Sequence, residues 1–387
     1  YGDHRDLHYP LRRQRQMCIR DSPKGGENLP GVAESWQISE DGKTYTFFLN
    51  KAAKWSNGDQ VVAEDFVWSW ERILTPSLGS QYPDMLYYLE GAADFHQSKI
   101  SDFSLVGVKA VNDHELEVKL KNPTPFFIKL LSHYSTYPVH KDTVLKHGTI
   151  DDRNGQWTRP GNFVCNGPFQ LKEWELNNKI VVEKNPHYWD ASRVQLNEMH
   201  FYPVSNVMTE DRMFRAGQLH LTSTLPSQKC PIYIEENNPD LRIDPYMGQY
   251  FYRLNTNNPY LNDVKVRKAL AYTIDRKAIV EKVTKCGQLP AYSFTPPGSN
   301  GYYPDTEIPF DPELAKQLMM EAGYSDSNPF PKLEILFNTN EDHRKIALAI
   351  QQMWQQNLGI EVELVNQDWK VYLSRDCLLY TSPSPRD

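Results

Sequence analysis

The chain has 387 residues, 40% of them hydrophobic and 24% charged, enough to bury a sizeable core in more than one domain. Aromatics make up 12%, which excludes a solvated low-complexity chain, and no apolar run approaches the roughly 18 residues of a membrane-spanning helix. A net charge of -7 argues against a nucleic-acid binder, which would carry a clustered basic face.

The first 21 residues show neither hydrophobic periodicity nor capping signals. Met17 to Asp21 and Cys377 to Ser382 can be back-translated into strings that are reverse complements over their overlap, and both resemble the transposase ends of DNA sequencing libraries. Tyr1 to His8 similarly resembles a flow-cell adapter. Residues 1–21 and 377–387 are therefore expected to be non-native read-through and are set aside. That leaves 355 of the 387 residues, with 36 basic and 45 acidic side chains and a net charge of -9. Cys165, Cys230 and Cys286 remain. The native stretch is expected to lack both of its natural termini, so the lack of a leader peptide carries no information.

Tyr45 to Leu49 reads as a strand and Asn57-Gly58-Asp59 as a turn. Val62, Phe66, Val67, Trp70, Ile73 and Leu74 recur at helical spacing, and Pro76 lies just beyond. Leu105 to Val111 and Glu115 to Leu120 flank Asn112-Asp113-His114, predicting a hairpin. Phe126 to Leu131 predicts a short helix. A second hairpin joins Phe169 to Trp174 and Ile180 to Glu183 through Asn177-Asn178, and Met199 to Val204 adds a strand. From about Gly248 longer helices alternate with strands. Val264 to Val283 predicts one helix capped by Asp263, and Pro312 to Ala322 a second closed by Gly323. Leu333 to Asn338 predicts a strand, Arg344 to Leu358 a helix and Ile360 to Val365 a strand. This order predicts an α/β lobe with a partly parallel sheet beside an antiparallel region.

No glycine-rich phosphate loop, zinc-protease motif or nucleophile elbow occurs, which lowers the case for an enzyme, although a scattered triad leaves a peptidase as an alternative. The three cysteines have no zinc spacing; free thiols, or one disulfide and a leftover, both fit. Neither metal nor cofactor is expected. Tyr82, Tyr87, Tyr88, Tyr134, Tyr137, Tyr250, Phe251, Tyr252 and Trp369 lie at the ends of runs or in loops. Together they suit a cleft that accepts varied side chains, because a ring offers contact area at low entropic cost.

Several motifs run in order: Gly31-Val32-Ala33-Glu34-Ser35-Trp36, Lys54-Trp55-Ser56-Asn57-Gly58, Glu64-Asp65-Phe66-Val67, Asn166-Gly167-Pro168-Phe169, Asn185-Pro186-His187-Tyr188-Trp189, Asp263-Val264-Lys265-Val266-Arg267-Lys268-Ala269-Leu270 and Val365-Asn366-Gln367-Asp368-Trp369-Lys370. With Pro290-Ala291-Tyr292 and Thr295-Pro296-Pro297, the series resembles the oligopeptide-binding type of extracytoplasmic solute-binding protein, family 5, which feeds an ATP-driven importer.

The resemblance implies a periplasmic-binding-protein-like two-lobe α/β fold with an extra domain, incomplete here. Residues 22–141 would form the extra α+β domain, 142–247 part of lobe I and 248–376 the start of lobe II. It implies a monomer outside the inner membrane, soluble or lipid-anchored, that captures an oligopeptide in extended form between the lobes. Its partners would be that peptide and the permease and ATPase of the importer, with no nucleic acid. Main-chain hydrogen bonds would hold the peptide while hydrated pockets accept its side chains. Positions matching the family's ligand contacts are Tyr82, His133, Asn338, His343 and Trp369. Phe251 and Arg253 stand where ligand-facing residues are expected but differ in type, and Thr284 replaces a lysine that can face the peptide carboxylate. His133 also reads as a surface histidine, His343 as a helix-entry residue and Trp369 as core. The acidic partner of the peptide amine would lie beyond the chain. A murein-peptide or other solute binder is the nearest alternative, and this chain as it stands is expected to bind peptide poorly or not at all.

Overall fold

The computed structural model describes residues 19–21, 28–222, 224–244, 248–298, 301–305, 307–369 and 371–372. Most of the two stretches set aside as non-native, 1–18 and 377–387, lies outside the described residues. The chain divides into two compact units, residues 1–203 and 204–387.

In the first unit, β1 (Ile19–Asp21) pairs antiparallel with β2 (Asn28–Pro30). The main antiparallel sheet has the order β3-β4-β6-β5, built from β3 (Ala33–Ile38), β4 (Thr44–Leu49), β5 (Val108–Asn112) and β6 (Glu115–Lys119). Tyr45, Phe47 and Leu49 alternate into the core, as a half-buried strand requires. The helix α1 (Ala63–Leu74) starts where the Asp65 carboxylate accepts the Val62 N–H at 2.9 Å and the Trp55 indole N–H at 3.0 Å. Burial raises the Asp65 pKa, and those two hydrogen bonds only partly offset the rise.

α1 serves two cores. Phe66, Trp70 and Leu74 join Phe47, Trp55, Leu116 and Val118, whereas Trp68 joins Val139, Trp157, Phe169, Ile180 and Val182. Each fully buried side chain of this kind stabilises the fold by about 2 kcal/mol. Gly107 lets two backbone runs meet, since a Cβ there would come within 2.2 Å of the Lys119 carbonyl. The second core backs an antiparallel sheet of β7 (Phe169–Glu175), β8 (Lys179–Lys184) and β9 (Glu198–Phe201), in that order. Asn177, at φ 59°, turns the β7-β8 hairpin.

The second unit opens with α2 (Val207–Arg215) and a short helix, Cys230–Glu235. The buried Asp211 carboxylate fastens them together by accepting from Lys229 and from the Tyr233 hydroxyl. This segment, grouped with lobe I in the sequence reading, is tied into the second unit. Cys230 and Cys286 form a disulfide across 5.5 Å of Cα separation, and the Ser227 hydroxyl donates to Asp342 at 2.8 Å and accepts from Lys345 at 2.7 Å. Cys165, in the first unit, is buried outside any disulfide, and its thiol donates to the Phe169 carbonyl.

Helix α3 (Val264–Tyr272) begins at Asp263, whose carboxylate accepts the Lys265 N–H. The single helix expected to Val283 breaks at Thr273. The Leu270 carbonyl accepts from the Thr273 hydroxyl and from the Trp354 indole N–H instead of a helical N–H. Arg276 covers the carbonyls of Ala271 and Ile274, and Asp275 caps a new turn by accepting from the Ala278 N–H. That second piece closes as a π turn over Ile279–Thr284.

Helix α4 (Pro312–Glu321) is capped by Asp311. Strands β10 (Leu333–Asn338) and β11 (Val362–Gln367) form the parallel pair, joined by α5 (Glu341–Leu358). Val266, Leu270, Met319, Ile335, Phe337, Ile350 and Trp354 form the core between these elements. α5 starts three residues before the expected Arg344, because Asn340 Oδ1 accepts from the N–H groups of both Asp342 and His343. Among the described residues no helix is long and apolar enough to cross a membrane.

Candidate functional site

Two of the expected ligand residues meet in the first unit. The Tyr82 ring stands edge-on to His133 at 5.2 Å and to Tyr134 at 5.7 Å, and Tyr82 is 37% exposed. α1 sets the height of this cluster. The Trp70 indole N–H donates to the Thr136 carbonyl at 2.9 Å, and the Ser69 hydroxyl accepts the Val139 N–H at 2.8 Å, fixing the loop that carries His133. His133 Nδ1 accepts the Ser135 N–H, so a neutral ring carries its proton on Nε2. The cluster thus offers an aromatic wall beside a polar ring, suited to a side chain that is part apolar.

In the second unit the expected residues gather at the carboxyl ends of β10 and β11, where open parallel sheets place their ligands. Asn338 Oδ1 lies 2.6 Å from His343 Nδ1, which places the ring proton on Nδ1 with Oδ1 accepting. Burial holds the His343 pKa below the ordinary histidine value, against the upward pull of Asp342. Tyr250 stacks obliquely on His343 at 4.8 Å and meets Tyr252 edge-on at 5.8 Å. Trp369, 39% exposed, stacks on Tyr372 at 5.6 Å.

Phe251 and Arg253 form a separate group. The Arg253 guanidinium lies 5.6 Å from the Phe251 ring centroid, and Phe251 meets Phe294 edge-on at 5.1 Å. The Thr284 hydroxyl turns inward to the Val280 carbonyl at 3.4 Å.

Tyr134, Tyr250 and Tyr252 were visible in the sequence only as part of the aromatic excess; Phe294, Tyr372 and Gln367 carried no ligand signal. Gln367 pairs with Asn338 across the parallel ladder, and among the described residues its buried Oε1 has no direct protein partner. Among the described residues the buried Tyr252 hydroxyl also has no hydrogen bond of standard geometry, and burial together with the neighbouring Tyr250 hydroxyl keeps it strongly protonated. Other rings from the aromatic set serve the fold: Tyr87 packs on the first core, and the Tyr137 hydroxyl donates to the Ser132 carbonyl. Among the described residues no cluster of His, Cys, Asp and Glu is arranged to hold a metal ion.

Residues 28–379 match the family described as bacterial extracellular solute-binding proteins, family 5 Middle. The chain belongs to this family. The match runs three residues past the Asp376 boundary drawn from the codon pattern. A family 5 relative, the periplasmic oligopeptide-binding protein OppA of Escherichia coli K12, is 40% identical over 359 residues, covering 90% of this chain and 64% of the relative. The chain thus spans slightly under two thirds of the length of that curated relative. Among solved family 5 structures, the murein tripeptide-binding protein MppA of Escherichia coli superimposes with a TM-score of 0.87 at 34% identity, covering 98% of this chain and 74% of that one. OppA of Haemophilus influenzae, in complex with the peptide RPPGFSPFR, gives 0.83 at 34% identity, covering 96% and 73%. The periplasmic-binding-protein-like α/β class expected from the motif series is the class of these neighbours.

Proposed function

We propose that this chain is part of a solute-binding component of an ATP-driven importer and that its ligand is an oligopeptide held in extended form. The observation that carries this reading is the 40% identity, over nearly the whole chain, to an oligopeptide-binding protein. The local chemistry agrees with it. Both units present rings with polar edges (Tyr82 with His133, Tyr250 with His343 and Asn338), and such surfaces tolerate varied side chains while water fills the gaps. Tyr82, His133, Asn338, His343, Trp369, Phe251 and Arg253 are the proposed ligand contacts. Specificity for peptides as a class would come from hydrogen bonds to the peptide main chain.

The same reading places the protein outside the inner membrane, with the importer's permease and ATPase as partners and with no covalent chemistry on the ligand. The Cys230–Cys286 disulfide supports that compartment, since such bonds persist where the surroundings are oxidising. A murein peptide is the second reading, favoured by the 0.87 superposition on MppA.

The test uses the uninterrupted gene product containing these residues, incubated with a mixture of tri- to pentapeptides and analysed by mass spectrometry after gel filtration. Intact peptides should travel with the protein. Cleaved products would overturn the reading in favour of a peptidase. Displacement of ordinary peptides by a murein tripeptide at lower concentration would favour the second reading.

A further inference from the structure

We infer that Ser227, braced by the Cys230–Cys286 disulfide, is a positioning residue for the peptide site that fixes the first turn of α5 and with it the ring of His343, a deepening that rests on the peptide reading above. A helix start frays easily, because its first N–H groups have no partner within the helix. Asn340 secures this turn at one point, through the N–H groups of Asp342 and His343. Ser227 secures it from a separate segment. Its hydroxyl donates to Asp342 Oδ1 at 2.8 Å and accepts from Lys345 Nζ at 2.7 Å. The same ammonium reaches Gln228 Oε1 at 3.1 Å and Asp342 Oδ1 at 3.3 Å. Ser227 is 5% exposed, so its hydroxyl is committed to these two partners.

Ser227 is itself held. The Pro226 carbonyl accepts from the Lys229 N–H at 2.8 Å and from the Cys230 N–H at 3.3 Å, which makes 226–230 one tight turn. Cys230 is fully buried and joined to Cys286, two residues past the π turn Ile279–Thr284. Ile279 and Val283 of that turn pack on the core that contains Ile346 and Ile350 of α5. The brace is therefore a closed ring: from α5 through Asp342 and Ser227 to the disulfide, and back through the core to α5. His343 follows Asp342 on the same backbone, and its Nδ1 is already engaged by Asn338 at 2.6 Å. A side chain held in this way meets a ligand without first having to be ordered, which raises affinity.

Calorimetry on the uninterrupted gene product with tri- to pentaalanine peptides tests the brace. Asp342 and Lys345 are half-exposed, so water replaces the lost hydroxyl in Ser227→Ala and the unit stays folded, with a looser first turn. That variant should bind about threefold to tenfold more weakly. The deciding readout is coupling to His343. In a His343→Ala background, Ser227→Ala should change affinity by less than about twofold, because its effect passes through the missing ring. A serine with a merely structural role would weaken both backgrounds alike, and that result would overturn the inference, as would unchanged affinity in Ser227→Ala alone.

The double variant Cys230→Ala with Cys286→Ala should also bind more weakly, and adding Ser227→Ala to it should bring no further loss. Wild-type affinity without the disulfide would overturn the brace. The cycle between Ser227 and His343 decides the matter even where the disulfide variant fails to fold. Each of these adverse results leaves peptide binding by the wild type intact, whereas no heat with any of the peptides would overturn both readings.

Discussion

Breaking the disulfide between Cys230 and Cys286 tests how the second unit is held. The bond closes a loop of 56 residues in the unfolded chain. The loop-closure relation then gives a stabilisation of about 4 kcal/mol at 25 °C, from entropy removed from the unfolded ensemble. The native contacts around the bond do not replace it: Asp211, Lys229 and Tyr233 organise the Cys230 side, while Cys286 is held by its N–H bond to Gln288. The double variant Cys230→Ala with Cys286→Ala should therefore lose about 4 kcal/mol, and reduction of the wild type should cost a similar amount. Guanidinium titration followed by tryptophan fluorescence would report it, since Trp354 is buried in the core of this unit. Cys165 stays buried outside the disulfide in both proteins and serves as an internal control. A loss below about 1 kcal/mol, or five rather than three reactive thiols on the unreduced denatured 387-residue chain, would refute the loop-closure account.

Asp65→Ala should destabilise the first unit by about 2–4 kcal/mol, because it strands the buried Trp55 N–H and the Val62 N–H, whereas Asp65→Asn should cost less by keeping an acceptor; paired denaturation curves measure the difference. The native state raises the Asp65 pKa, so this carboxylate contributes stability below its unfolded pKa and loses it as pH rises through the folded value. Asp65→Asn should flatten that part of the stability profile. His343 has the opposite linkage: its folded pKa is lowered by burial, so its contribution is present above the unfolded histidine pKa and is lost as pH falls through the folded one. Thermal melts between pH 8 and about 5 should show this loss, and His343→Gln should remove it.

How much could be read from the chain alone follows the range of the interactions. Strand β10 was legible to the residue, since Leu333, Ile335 and Phe337 alternate into the core. The Asp263 cap was legible for the same reason, a local one. The break at Thr273 was not, because it depends on the Trp354 indole N–H taking the Leu270 carbonyl from 84 residues away. Likewise three cysteines permit several pairings, and only folding brings Cys230 to Cys286. The ligand residues were named by motif, but their company was not. Tyr250 meets His343 because a loop and a helix N-terminus converge at the end of a parallel strand pair, which no local pattern encodes.

The central claim is that these residues belong to a protein that binds oligopeptides through their shared backbone. Isothermal titration of the uninterrupted gene product with several unrelated tri- to pentapeptides tests it most directly. The account predicts saturable one-to-one heat for several of them and none for free amino acids. Absence of heat for every peptide would contradict it.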